Sequence, residues 1–216
     1  RGSLAGEGYS KYKSLRPFGM VDGFDYPKPD KNFAAKCVAY AYACLDRREG
    51  PDFFTEYTRV GERRFIANIE ANWFTFTSEK GKSVTSQRWS NFYCAATFAS
   101  KMRDIGLPVV SDNELTDADA VECLARVEHT RWLFEQLLTG YRPGDKSYAD
   151  RYPIGNISDD DKKLRRALKS RGVHPDLVSN ARLSATSRYD ADIVRIIPLA
   201  MWLTRRLLEQ KKGSPL

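Results

Sequence analysis

A helix opens at Thr116-Asp117-Ala118-Asp119, runs to about Thr139 and stops at Gly140. It is apolar nearly all round, through Leu124, Ala125, Val127, Trp132, Leu133, Phe134, Leu137 and Leu138. A helix with no wet face has to be covered on every side, so this one is expected to stand at the centre of the fold. Set into it is Glu128-His129-Thr130-Arg131-Trp132, which holds an acid, an imidazole, a guanidinium and an indole. At about 100° per residue, Glu128, Arg131 and Glu135 share one narrow sector beside Leu124, with Trp132 at its flank. Charges inside a buried helix are costly unless they pair with one another or meet a ligand.

The rest of the chain reads as helices between breakers. Residues 1–30, rich in glycine and proline, form an irregular arm whose aromatics (Tyr9, Tyr12, Phe18, Phe24, Tyr26) lie against the domain. Asp30 or Asn32 caps a helix to about Arg48 with Phe33, Cys37, Tyr40, Ala41 and Cys44 on one stripe. Gly50-Pro51 ends it, and helical periodicity resumes near Asp52 and again from about Arg63 to Phe74. Thr75 to Lys82 reads as a loop. Ser86 to Ile105 reads as one helix with Trp89, Phe92, Tyr93, Ala96, Phe98, Met102 and Ile105 as its apolar set, closed by Gly106-Leu107-Pro108. After a loop at 141–159, Ser158 caps a short basic helix, Asp159 to Ser170, which Gly172 ends. A last helix runs from Ser184–Ser187 to about Gln210, kinked by Pro198. No strand or internal repeat stands out. The expected fold is all-α, divided into the arm 1–30, an N-terminal helical region 31–115, a second helical domain 116–210 and a disordered tail 211–216.

Lys and Arg outnumber Asp and Glu by 35 to 28, an excess spread along the chain where nucleic-acid binders gather it into a patch. Nucleic acid is therefore ranked last among partners, while small anions are favoured. Cys37, Cys44, Cys94 and Cys123 form no C-x-x-C pair and lie in apolar helical patterns, as small reduced hydrophobes do. A reducing, cytoplasmic setting is expected. Ile193 to Leu208, the longest apolar candidate for a membrane span, is interrupted by Arg195, Arg205 and Arg206. Because the first residue is Arg1, the chain is expected to be a processed, tagged or excised piece.

Glu128-His129-x-Arg131-Trp132, Gly140-Tyr141, His174-Pro175-Asp176-Leu177 and Tyr189-Asp190, followed by Ile197-Pro198, together resemble the ryanodine-receptor repeat over about residues 120–205. In that family the order is an E-H-x-R-W helix, a G-W or G-Y turn, an H-P-x-L segment, then an Asp before a helix with an Ile-Pro step. Ser90-Asn91 with Ala95, Lys101 to Gly106, Pro17-Phe18-Gly19 and Ala35 to Tyr42 look like the region joining the repeat to a Trk-type Rossmann domain in bacterial proteins. Ala39 stands where those proteins often carry histidine, Tyr141 replaces the commoner tryptophan, and the 141–173 loop is longer and more basic. The resemblance implies a compact helical module without known catalysis, whose bacterial members are suspected of sensing nucleotide-derived signals for a fused or partner effector or channel domain.

Two readings of the polar cluster follow. Glu128 and Arg131 stand at i, i+3 and form either a brace or a ligand contact. His129 points away from Glu128 and reads as a satisfied, semi-buried histidine. In the leading functional reading the ligand is a nucleotide or related anion, and neither a metal nor a cofactor is expected. Arg131 neutralises its charge, Trp132 and Tyr141 stack, and His174, Asp176 and Asn91 orient polar edges. Glu128 and Asp190 complete the candidate site. The basic helix from Lys162 to Lys169 reads as a solvated face or an anion-attracting rim. The chain is expected not to be an enzyme: no G-x-S-x-G, phosphate loop or zinc spacing is present, and Pro175 separates His174 from Asp176. The alternatives are a structural interaction module, which predicts an exposed apolar patch, and a hydrolase of nucleotide-derived substrates using Glu128 and Asp176.

Overall fold

The computed structural model describes residues 32–45, 50–78, 84–106, 111–144, 159–175, 177 and 188–213. The arm 1–30, the Ser158 cap, most of the 141–158 loop and residues 214–216 lie outside the described residues. Asn32 caps α1 (Phe33–Leu45), its Oδ1 accepting from the Ala35 N–H at 3.0 Å. Asp52 does the same for α2 (Phe53–Val60) through the Thr55 N–H at 2.7 Å. Gly61, at φ 76°, turns the chain into α3 (Glu62–Ser78). Then come α4 (Val84–Ala96), α5 (Phe98–Asp104), α6 (Ala118–Leu138), β1 (Arg142–Pro143), α7 (Asp159–Ser170), β2 (Val173–His174), α8 (Arg188–Arg195) and α9 (Ile197–Gly213). The fold is all-α apart from the two-residue strands.

The centre is α1, not the helix at 118–139. Nine of the thirteen α1 residues are buried, against five of the twenty-one in α6. Small side chains at Ala34, Ala35, Ala39 and Ala41 let α2, α3, α4, α8 and α9 close around α1. One continuous cluster of buried residues includes Cys37, Val38, Phe65, Phe92, Phe98, Leu124, Ile193 and Leu203, and so draws on both sides of residue 115. Within it, Phe65 meets Phe53 edge to face at 4.9 Å, with Tyr40 and Tyr57 against the same ring.

By contrast α6 turns Val121, Leu124, Ala125, Glu128 and His129 inward and leaves Val127, Phe134, Leu137 and Leu138 exposed. Its apolar composition therefore did not make it a fully covered helix. Among the described residues, α4 and α8 are the helices that pack most closely against it. Cys37, Cys44 and Cys94 are buried as expected of small hydrophobes, but Cys123 is on this exposed side.

Four boundaries differ from the sequence expectation. α3 continues through Ser78, because nothing between Thr75 and Gly81 breaks a helix. The expected helix 86–105 starts at Val84 and is divided at Thr97, whose hydroxyl and N–H both bond back to the Cys94 carbonyl, at 2.7 and 3.1 Å. The last helix is broken rather than kinked. Pro198 lacks the N–H that would bond to residue 194, so the ladder restarts with Ala200 N–H to Ile196 O at 2.9 Å. Finally, α9 continues through Gly213, which places residues 211–213 in the helix instead of in a tail.

The two short strands are parallel, pairing Arg142 with Val173 and Pro143 with His174. At two residues each they carry no alternation that a sequence could display. Turns at Gly140 (φ 92°) and Gly172 (φ 72°) deliver them, and the Arg142 N–H donates to Gly172 O at 2.8 Å. This pairing brings the end of α6 to the His174 segment. Among the described residues no helix is long and apolar enough to cross a membrane.

Candidate functional site

The candidate residues fall into two groups on neighbouring parts of α6. The first is a buried charge cluster. Glu128 lies on the inward face and is 1 % exposed, and Lys101, reaching across from α5, is 2 % exposed. Lys101 Nζ donates to Glu128 Oε2 at 2.5 Å. Arg131 grips the same carboxylate through Nε and Nη2, at 2.9 and 2.7 Å to Oε1, and donates through Nη1 to Glu135 Oε2 at 2.6 Å. Ser90 of α4 completes the set by donating its hydroxyl to Glu135 Oε2 at 3.0 Å. Two cations thus face two carboxylates, and the cluster has no formal charge left over.

Burial pushes the Glu128 carboxyl up, but Lys101 and Arg131 outweigh it and hold it below the usual carboxylate range. Burial likewise works against the Arg131 charge, and Glu128 outweighs it. Glu128 is therefore ionised and bonded through both oxygens, the reverse of a carboxyl poised to give up or take a proton. The sector expected from helix geometry is realised here, and its occupants brace α4, α5 and α6.

Lys101 was missing from the expected site. Its signal lay in its spacing, since it shares the i, i+3, i+4, i+7 stripe of Phe98, Met102 and Ile105 and so had to point inward. Tyr42 was missed as well. It packs against Tyr189 with ring centroids 6.3 Å apart, and burial, together with the Glu128 and Asp190 carboxylates nearby, raises its phenol.

His129 points elsewhere, as its place on the helix requires. Its Nδ1 lies 3.0 Å from Asp190 Oδ2 and ties α6 to α8. Burial raises the Asp190 carboxyl, partly offset by the bond to His129. Asn91 is buried on α4, but it is Ser90, one residue earlier, that reaches Glu135. Asp176 lies outside the described residues.

The second group is an aromatic corner. The Trp132 ring meets His174 edge to face at 5.0 Å, and Tyr141 meets His174 edge to face at 5.3 Å and 89°. His129 lies against Trp132 at 5.9 Å. The chain His129–Trp132–His174–Tyr141 is assembled by the β1–β2 pairing. Gly144 is part of it, because a Cβ there would come within 3.3 Å of Pro175 Cα. Leu168, buried on α7, seats that helix against β2. Burial, with the positive charges of Lys169 and Arg165, lowers His174 to about 3, so it is neutral at pH 7. Lys169 is itself lowered by burial and by Arg165. Arg165 and Lys169 thus both act on His174.

The residues expected to gather do so only in part. Trp132 and Tyr141 both meet His174, whereas Glu128 and Arg131 are taken up with Lys101 and Glu135. A separate cleft of about 340 Å3 at the start of α6 is lined by Ile105, Asp117, Asp119, Ala120 and Cys123, an acidic lining unsuited to an anion. Among the described residues no three His, Cys, Asp or Glu side chains are grouped to hold a metal. Comparison with protein-family models, with characterised proteins and with solved structures finds no match in any of the three.

Proposed function

We propose that the chain is a cytoplasmic, non-catalytic helical binding module of ryanodine-receptor-repeat type that takes a flat, anionic ligand of nucleotide class at the Trp132–His174–Tyr141 corner and signals to a fused or partner domain. The observation that carries this reading is the packing of Trp132 and Tyr141 edge to face on His174, with the basic end of α7 beside them. Aromatic faces beside cations suit a base with its phosphate. The ligand's charge is assigned to Lys169 of α7, because Arg131 is already bonded to two carboxylates. Occupancy of the corner would act on α6 through Trp132 and on α8 through the His129–Asp190 bond. The hydrolase reading loses its support, since Glu128 is buried and bonded on both oxygens.

A nucleotide panel titrated against the chain while following Tm tests this, because a ligand of the native state raises Tm. A rise that is lost in Tyr141→Ala and in the Arg165→Gln/Lys169→Gln pair is expected. No shift at millimolar concentration removes the reading.

A second reading, a structural interaction module, draws on the exposed side of α6, where Phe134 is 62 % and Leu138 63 % exposed. Large apolar side chains grouped on one exposed face mark interaction surfaces. Under this reading Phe134→Glu with Leu138→Glu abolishes self-association or partner binding with Tm unchanged, and an unaltered association state counts against it.

A further inference from the structure

The exposed side of α6 carries a seam with the spacing of a helix pair. Ala120, Cys123, Val127, Thr130, Phe134 and Leu137 stand alternately three and four residues apart, the pattern by which two helices interlock. With Leu138 they fall within about 100° of arc on an ideal helix. Val127 is 48 %, Phe134 62 %, Leu137 46 % and Leu138 63 % exposed, so the seam is open to solvent. Side-chain size is graded along it. Cys123, Val127 and Thr130, whose hydroxyl turns back to Arg126 O at 2.9 Å, make the first half small. Phe134, Leu137 and Leu138 make the second half large. The two ends also differ in relief. At the first, Cys123 and Ala120 line the cleft of about 340 Å3 together with Ile105, Asp117 and Asp119. At the second, roughly 22 Å further along the helix, Leu138 projects and the exposed Arg142 follows.

We propose that this seam pairs α6 with the α6 of a second copy of the chain, antiparallel and about a two-fold axis near Thr130. The inference rests on the interaction-module reading above and deepens it by naming the partner and its direction. Antiparallel pairing lays the large half of each seam over the small half of the other. Phe134 then stands opposite Val127, and Leu138 stands opposite Cys123, where the cleft receives it. The same register brings Arg142 to the level of Asp119. Both are exposed, and among the described residues neither enters an ion pair. Each contact occurs twice, because a two-fold axis lets the projection and the cleft of one copy meet the cleft and the projection of the other. A parallel pair would set large against large, splay the helices and leave both clefts empty. The four large side chains expose on the order of 400 Å2 per copy, the size at which an apolar patch marks an interface. Doubled, that area lies near the lower limit of specific pairs, so a weak dimer with Kd of about 10 µM is expected.

Sedimentation velocity of the whole chain from about 2 to 200 µM should show a monomer passing into a dimer. Phe134→Glu with Leu138→Glu should weaken association at least about thirtyfold. The circular dichroism spectrum should not change, because both side chains are exposed. Asp119→Arg and Arg142→Asp should each weaken association about fivefold, and the two combined should restore it. Mild oxidation reads the direction. Leu138→Cys should give a linked dimer whose disulfide joins the introduced thiol to Cys123 of the other copy, and adding Cys123→Ser should remove it. A chain still monomeric at about 200 µM overturns the inference and leaves the interaction-module reading to an unlike partner. A dimer that Phe134→Glu/Leu138→Glu abolishes, but whose disulfide joins Cys123 to Cys123, also overturns the inference and leaves that reading standing. A dimer indifferent to Phe134→Glu/Leu138→Glu removes both.

Discussion

Two pairs of cations lie close to α6 and meet opposite electrostatic fates. Lys101 and Arg131 are enclosed with Glu128 and Glu135, and each donor is matched by a carboxylate. At the Trp132–His174–Tyr141 corner, burial lowers both Lys169 and His174, Arg165 adds to the lowering of each, and Lys169 adds to that of His174. The difference teaches that a cation's place in a striking motif says little about its availability. Arg131, the most conspicuous charge in the sequence, is taken up by the protein's own carboxylates. The charges whose field reaches a candidate binding surface belong to a helix that reads as ordinary solvated surface.

The comparison can be broken first at the buried cluster. Glu128→Leu strands Lys101 in the interior and leaves Arg131 with one partner, so a loss of about 3–5 kcal/mol in denaturant unfolding is expected. The double change Lys101→Met/Glu128→Leu should recover much of that loss, because the apolar pair leaves no buried charge at that contact. If the double change is as damaging as the single one, the cluster is not held by charge balance.

Acid titration separates the two regions. His174 drops from an ordinary 6.5 to about 3, so between those values the unfolded chain binds a proton that the folded chain refuses. Stability should therefore fall as pH is lowered through that window, at up to about 1.4 kcal/mol per pH unit. Glu128 is held below its ordinary 4.5, so its contribution is intact above that value and is lost only as pH falls through its depressed folded value. His174→Phe should flatten the upper window and leave the lower one in place, which a series of melts from pH 7 to pH 3 would read.

The turn that joins the regions gives a smaller effect. Gly140 has φ 92° and open space where a Cβ would stand, so Gly140→Ala should cost about 1–2 kcal/mol from backbone strain alone. The smallest effect is expected at the crowded cations. Lys169→Gln should change stability by less than about 0.5 kcal/mol. It should also raise the His174 pKa in an NMR titration, since it removes one of the charges that lower it. A lower value would contradict the action of Lys169 on His174.

Much of this molecule could be read from residue order. The caps at Asn32, Asp52 and Asp117 and the stops at Gly106, Gly140 and Gly172 are local signals, because they act through backbone bonds within a turn. The Glu128–Arg131–Glu135 sector is equally local, being set by helical rotation. The position of α6 was not local. Phe134 and Leu138 look like core residues until α1, with its alanines, is seen to occupy the centre, which leaves α6 at the side. Lys101 lies 27 residues from Glu128 and is joined to it only by packing of α5 against the bundle.

Residue order alone thus determined the helices, most of their ends and the pairing of charges one turn apart, because those depend on bonds within a few residues. Tertiary structure decided which helix is central, which carboxylate Lys101 meets and which rings gather around His174. Those outcomes depend on which faces come together, and a solvation cost is set only when a surface is covered.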